Sequence, residues 1–162
     1  MLHKLRNNLG RYLFDRSVRG VLQTPPIGLD TESNLIVLSQ LQHKDMLMYL
    51  VALKSFCRFV LPAQVVVVND GTLDARDKET LAKHVPRIEI RELNEFRSDA
   101  CPTGGCWERL LAVAHYAQDA YVIQLDSDTL TLHEPTEVIN HVRNNRSFAL
   151  GTWDDQEIEP MA

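Results

Sequence analysis

The sequence predicts an α/β fold, a mostly parallel sheet flanked by helices, on three observations. Apolar runs of strand length alternate with stretches of helix length along most of the chain. The runs at 34–39 (NLIVLS), 64–69 (QVVVVN) and 120–125 (AYVIQL) are nearly continuous in apolar residues, the pattern of strands covered on both faces. Polar residues follow these runs directly: Ser39-Gln40, Asn69-Asp70-Gly71-Thr72 and Asp126-Ser127-Asp128. Open α/β sheets bind their ligands beyond the carboxyl ends of strands, where these residues fall.

Taken in order, residues 1–22 read as a basic amphipathic helix, with Leu2, Leu5, Leu9, Tyr12 and Leu13 at helical spacing. Lys4, Arg6, Arg11, Arg16 and Arg19 stand there against Asp15 alone, so this stretch carries +4 of a chain whose net charge is −5. Either it packs as a surface helix or its basic face makes a peripheral membrane contact. The run TPPIG at 24–28 breaks the pattern as a loop. A helix is expected over 44–61, stopped by Pro62, and a polar helix over 74–84. The stretch RIEIREL at 87–93 alternates charged and apolar residues, as an edge or half-exposed strand does. A third helix is expected over 105–117 and a short one over 135–142; SFALGT at 147–152 can begin one more strand. The organisation expected is a leading helix and linker over 1–30, then one domain over 31–162.

Composition narrows the classes. A chain of 162 residues with 44% hydrophobic and 24% charged residues has the make-up of one soluble globular domain. The net charge of −5 gives no nucleic-acid footprint. Three cysteines, Cys57, Cys101 and Cys106, without a CxxC argue against a disulfide framework or a four-ligand zinc site. The best apolar stretch, 46–60, is interrupted by Lys54, Ser55 and Arg58, short of the about 20 residues of a membrane span. The N-terminus lacks the apolar core of a signal peptide. The expected location is cytoplasmic, with peripheral membrane contact through 1–22 as the variant.

The chemistry-bearing motif is YVIQLDSD at 121–128. On a strand, residues i and i+2 share a face, so Asp126 and Asp128 are expected to project together. Two close carboxylates repel unless a cation lies between them. A hard divalent ion, Mn2+ or Mg2+, suits such a pair and keeps phosphate oxygens and water as further ligands. The plainer readings are that Asp128 caps the turn after the strand, or that both acids are solvated.

In their order along the chain, these segments resemble the nucleotide-sugar-dependent glycosyltransferases of the GT-A fold. Residues 35–40 look like the first strand, whose end touches the nucleoside, which implies a contact from Ser39. VVVVNDGT at 65–72 is similar to the second strand, whose terminal acid, here Asp70, contacts the base. YVIQLDSDTL at 121–130 looks like the strand that carries the DxD motif, with Asp126 and Asp128 holding the metal. GGCWERLLAVAHYA at 104–117 matches more loosely, a small-residue loop before a helix on which Arg109 neutralises the diphosphate or buttresses the carboxylates. The resemblance spans roughly 34–152 and implies a UDP- or GDP-linked sugar as partner, an acceptor hydroxyl, and a divalent metal. Such enzymes continue into an acceptor-binding half, so this chain is expected to be the donor-binding part, in which a homo-oligomer is possible.

Each residue also has an ordinary reading. Asp70 fits an Asx-turn in NDGT, Arg109 a surface cation, Trp107 and His115 core or boundary positions, and His133 an exposed residue near the metal pair. Two other classes compete. Phosphatases like the haloacid dehalogenases also place DxD after a strand, but Leu130 stands where Thr or Val follows there. A non-catalytic nucleotide-sugar-binding module is the other.

Overall fold

The structure, a computed structural model, describes residues 16–104 and 106–149. Four strands, β1 (Leu35–Leu41), β2 (Gln64–Asn69), β3 (Glu89–Glu92) and β4 (Tyr121–Gln124), form one sheet in the order β3-β2-β1-β4. Every pairing is parallel. Helix α1 (Met46–Cys57) links β1 to β2, α2 (Ala75–His84) links β2 to β3, α3 (Trp107–Tyr116) precedes β4, and α4 (Thr136–Arg143) follows it.

β1 forms a strand because its residues suit a position with no solvent on either face: six of its seven residues are buried. Its alternation sorts them between two cores. Leu35, Val37 and Leu41 join Tyr49, Leu50 and Leu53 of α1, Leu81 of α2 and Val138 of α4. Ile36 and Leu38 face the other way, onto Phe96 and Ala112 of α3. The sheet is thus covered on both sides, as the continuous apolar runs predict. β3 is the exception foreseen from its alternating charges, and β4 is one the apolar run at 120–125 did not announce: it is the other edge strand, and only Ile123 of its four residues is buried. All four residues of β3 are half-buried, and Arg91 is tied to Glu89 and Glu95 at 3.0 and 2.6 Å. A charged edge of this kind discourages pairing with another sheet.

Boundaries depart from the sequence reading at several points. The helix expected over 44–61 is regular only over α1; a 3-10 turn at His43–Asp45 leads into it, and the chain from Arg58 onward turns off before Pro62. Residues 147–149 are not a strand, and the rest of that expected strand lies outside the described residues. So does most of the basic N-terminal helix. Its described end is a helical turn at 16–18 and a 3-10 turn at Arg19–Gln23, with Val21 and Leu22 packed against the larger core. Among the described residues no helix is long and apolar enough to cross a membrane.

The strand order places the site. β2 and β3 lie to one side of β1 and β4 to the other, so the sheet reverses its direction of growth between β1 and β4. In doubly wound sheets the ligand crevice opens beyond the carboxyl ends of the two strands at that switch.

Core and surface leucines should separate cleanly in urea unfolding. Leu53→Ala, at a fully buried position of α1, is expected to cost about 2–5 kcal/mol. Leu132→Ala, at a position 66% exposed, is expected to cost about 0.5 kcal/mol or less. Equal shifts of the two midpoints would contradict this core.

Candidate functional site at the carboxyl edge of the sheet

The β1–β4 ladder ends where Gln124 faces Leu38, with one more bond from the Leu125 amide to the Leu38 carbonyl at 2.9 Å. The chain then turns: the amide and hydroxyl of Thr129 both donate to the Asp126 carbonyl, at 3.4 and 2.9 Å. This corrects the picture of two acids sharing a strand face. The ladder ends at Gln124 and the chain turns after Asp126, so the two-residue alternation reaches Asp126 but is not carried on to Asp128. Asp126 keeps the direction of Val122 and Gln124, toward α3. Its Oδ1 accepts from Arg109 Nη1 at 2.8 Å and from Gln124 Nε2 at 2.7 Å. Among the described residues none donates to its Oδ2, and Asp128 is exposed without a side-chain partner. Asp126 Oδ2 and both Asp128 carboxylate oxygens thus carry no hydrogen bond among the described residues.

Arg109 arrives from the first turn of α3, with Nη2 also 3.2 Å from Cys106 Sγ. Trp107, expected in the core, is instead 42% exposed. α3 presents Glu108 and Ala112 to the interior, so the residue before Glu108 lands about 100° around the helix, outward. There it joins Arg109, Leu110, Val113 and Gln124 around a cleft of about 360 Å³. A larger cleft, about 1030 Å³, follows β4, with Tyr121, Ile123, Asp126, Leu130 and Phe148 in its lining. His115 is exposed, its ring edge-on to Phe96 and Tyr116, and His133 is exposed.

Glu108 is a residue the sequence reading did not single out. It is buried at 2% exposure. Its Oε1 accepts from the Gly104 amide at 2.8 Å, with Arg97 3.7 Å away. The Gly104 amide bond first, then its own backbone amide, hold its carboxyl below the usual range against the opposing effect of burial. Gly104 has φ +87°, which a side chain would strain. Glu108 thereby fixes the loop that leads into α3 and so aims Arg109. An acid in a helix first turn was the available signal.

Across β1, the loop after β2 is built on hydrogen bonds to its own backbone. Asp70 Oδ1 accepts from the Thr72 amide and hydroxyl at 3.0 and 2.6 Å, the Asx-turn reading. Thr72 Oγ1 also accepts from the His43 amide at 2.8 Å, which ties this loop to the one after β1. His43 Nδ1 meets Asp77 Oδ2 at 2.6 Å. Asp74 and Asp77 in turn cap α2 reciprocally, through the Asp77 amide at 2.8 Å and the Asp74 amide at 3.1 Å.

Among the described residues His43, Asp74 and Asp77 are the one trio with ligand atoms within 4.8 Å of one another. Those atoms already satisfy each other and the α2 amides, at a helix end whose dipole disfavours cations. The arrangement is a latch in which the His43 ring is held on the Asp77 carboxylate. The hydrogen bond to Asp77, then its charge, raise the His43 pKa, while the Asp77 amide bond holds the Asp74 carboxyl low.

The predicted residues are therefore distributed as follows. Arg109 and Asp126 are in contact, and Asp128 shares the Asp126 turn. Asp70 lies on the same edge with β1 between, two strand spacings or roughly 10 Å away. Ser39 is fully buried, and its Oγ donates to the Leu125 carbonyl at 2.7 Å. It stands beneath the acidic turn rather than in the crevice. No protein-family model matches the chain, and no curated protein matches it.

The latch has a pH signature. A raised His43 pKa means its pairing stabilises the fold at low pH, and that contribution fades as pH rises through the raised value. His84 is opposite. Burial, then Lys54 and Lys83, lower its pKa, so its contribution is lost as pH falls. In a histidine NMR titration His43 should titrate above the ordinary value and His84 below it. Asp77→Asn should bring His43 back down, and an unmoved His43 would dissolve the latch.

Proposed function

We propose that this chain is the donor-binding part of a metal-dependent glycosyltransferase of the GT-A type, holding a nucleotide-diphosphate sugar across the carboxyl edge between β1 and β4. The observation that carries this reading is the Arg109–Asp126 pair at the sheet's switch point. It joins a guanidinium on the wall of the smaller cleft to a carboxylate on the wall of the larger one, with Asp128 two residues further along the same turn, and this supports a metal-bound diphosphate lying where the two clefts meet.

The residues fit a divalent ion: Asp126 offers its free Oδ2 and Asp128 an exposed carboxylate. The competing Arg109–Asp126 bond is no obstacle. Asp126 is 51% exposed at its side chain, and a pair so exposed is worth about 0–1 kcal/mol. Arg109 is then released to grip phosphate oxygens through its fork. When bound, the ion would act as a Lewis acid on the departing diphosphate. Asp70, anchored by Thr72 through Oδ1, presents its remaining oxygen toward a nucleobase. Trp107 and Leu110 line the smaller cleft beside Arg109 on the α3 side. Asp126 as a phosphatase nucleophile is less favoured, because Leu130 stands where Thr or Val follows the second acid in such enzymes.

Calorimetry of UDP and GDP with and without Mn2+ tests the reading. Binding should depend on the metal, and Asp128→Asn should weaken it by at least about tenfold, or ~1.4 kcal/mol, by deleting a charged ligand. Metal-independent binding unaffected by that substitution would rule the assignment out. A donor screen that reads nucleotide release and glycosyl transfer separately should show binding or slow hydrolysis with little transfer. Binding without either would favour the non-catalytic module.

A further inference from the structure

Two buried serines, far apart in sequence from the acidic turn and close to it in space, bracket that turn. Ser39 Oγ, on the central strand, donates to the carbonyl of Leu125, the residue before Asp126, at 2.7 Å. Ser55 Oγ, on α1, accepts from the amide of Thr131 at 3.0 Å, just beyond the turn. Ser55 Oγ also donates to the Ala52 carbonyl at 2.8 Å, which fixes its hydroxyl rotor and leaves a lone pair aimed at Thr131. Ser39 is 0% exposed and Ser55 8%.

Both stand where the pattern calls for apolar residues. Ser39 follows Leu35-Ile36-Val37-Leu38 on the most buried strand. Ser55 sits among Leu53, Phe56 and Cys57 on the interior face of α1. An apolar side chain at either place would bury more apolar surface. What the hydroxyls supply is a hold on backbone groups that no strand pairing reaches, since the β4 ladder stops at Gln124. Residues 126–130 hang between the two anchors, with the Thr129 bonds to Asp126 as the internal tie.

We infer that Ser39 and Ser55 are positioning residues that set the acidic turn, and with it the placement of Asp126 and Asp128 against Arg109. As it bears on metal affinity, this rests on the reading of those two acids as ligands. As it bears on the geometry of the turn, it does not. The same arrangement assigns Ser39 a role beneath the site in place of a contact with the nucleoside.

The experiment uses the full chain with Ser39→Ala, Ser55→Ala and Ser55→Thr. Amide hydrogen exchange of the 127–130 turn is read at Thr129, whose amide donates to the Asp126 carbonyl and touches neither serine, with Val66, Val67 and Val68 of β2 as the reference for global stability. Mn2+ alone is titrated in parallel. Each alanine variant should keep the β2 protection of the parent, speed exchange at Thr129 by about tenfold, and weaken Mn2+ binding severalfold. Ser55→Thr, which keeps the hydroxyl, should restore both.

Faster exchange at Thr131 alone, with Thr129 unchanged, overturns the inference, as does full Mn2+ affinity in an alanine variant whose turn has loosened. Should an alanine variant lose β2 protection, Ser55→Thr with normal β2 protection and a loosened turn would also overturn it. If the parent chain binds no Mn2+, the ligand reading fails by itself, and the exchange at Thr129 alone decides whether the serines set the turn.

Discussion

The parallel ladder of β1 with its two neighbours is the constraint on which the rest depends. β1 meets β2 from Ile36 to Leu41 and β4 from Leu35 to Leu38. Each backbone group there is buried and has to be paired, because an orphan would cost about 1–3 kcal/mol. That requirement fixes the register of both neighbours. The register delivers Asp70 and Asp126 to one edge, and the side-chain alternation of β1 divides the interior into two cores. Helices α1 and α2 are held by one face of this strand and α3 by the other.

Electrostatics then shape the edge in two different ways. On the β2 side, carboxylates are consumed by the fold: Asp74 and Asp77 cap α2, Asp70 closes an Asx-turn, and His43 bridges two loops. On the β4 side they are held loosely. Asp126 uses one oxygen on an exposed ion pair, and Asp128 uses none among the described residues. Acids of similar composition thus do opposite jobs within one edge. The difference is how many amide donors lie within reach of each carboxylate. A helix N-terminus supplies several, and the turn after β4 supplies none.

Much of this architecture was legible. Continuous apolar runs rich in β-branched residues announced β1, β2 and β4, and alternating charges announced β3 as an edge. Strand ends moved by one or two residues because they are set by where a partner strand stops, which the strand's own residues do not record. Arg109 beside Asp126 was readable from their relation to one helix and one strand. Three things were not. The turn at Asp126 depends on Thr129 folding back. The burial of Glu108 depends on the amide of Gly104. The work of Ser55 depends on Thr131, 76 residues away. In each case one polar atom is decided by a partner that periodicity cannot see.

β4 is bonded to β1 over four residues and, among the described residues, to nothing on its other side. Strands of this kind open at a smaller free energy than a strand paired on both sides, and they do so as local units without global unfolding. The acidic turn therefore hangs from one of the two strands of the sheet that are paired on one side only. A ligand that spans Arg109 and the turn would draw on that softness. Part of its binding free energy would appear as order in β4 and the turn, with the β1–β2 ladder little changed. The rigid strand sets where the site is, and the soft one sets how much a bound ligand can tighten it.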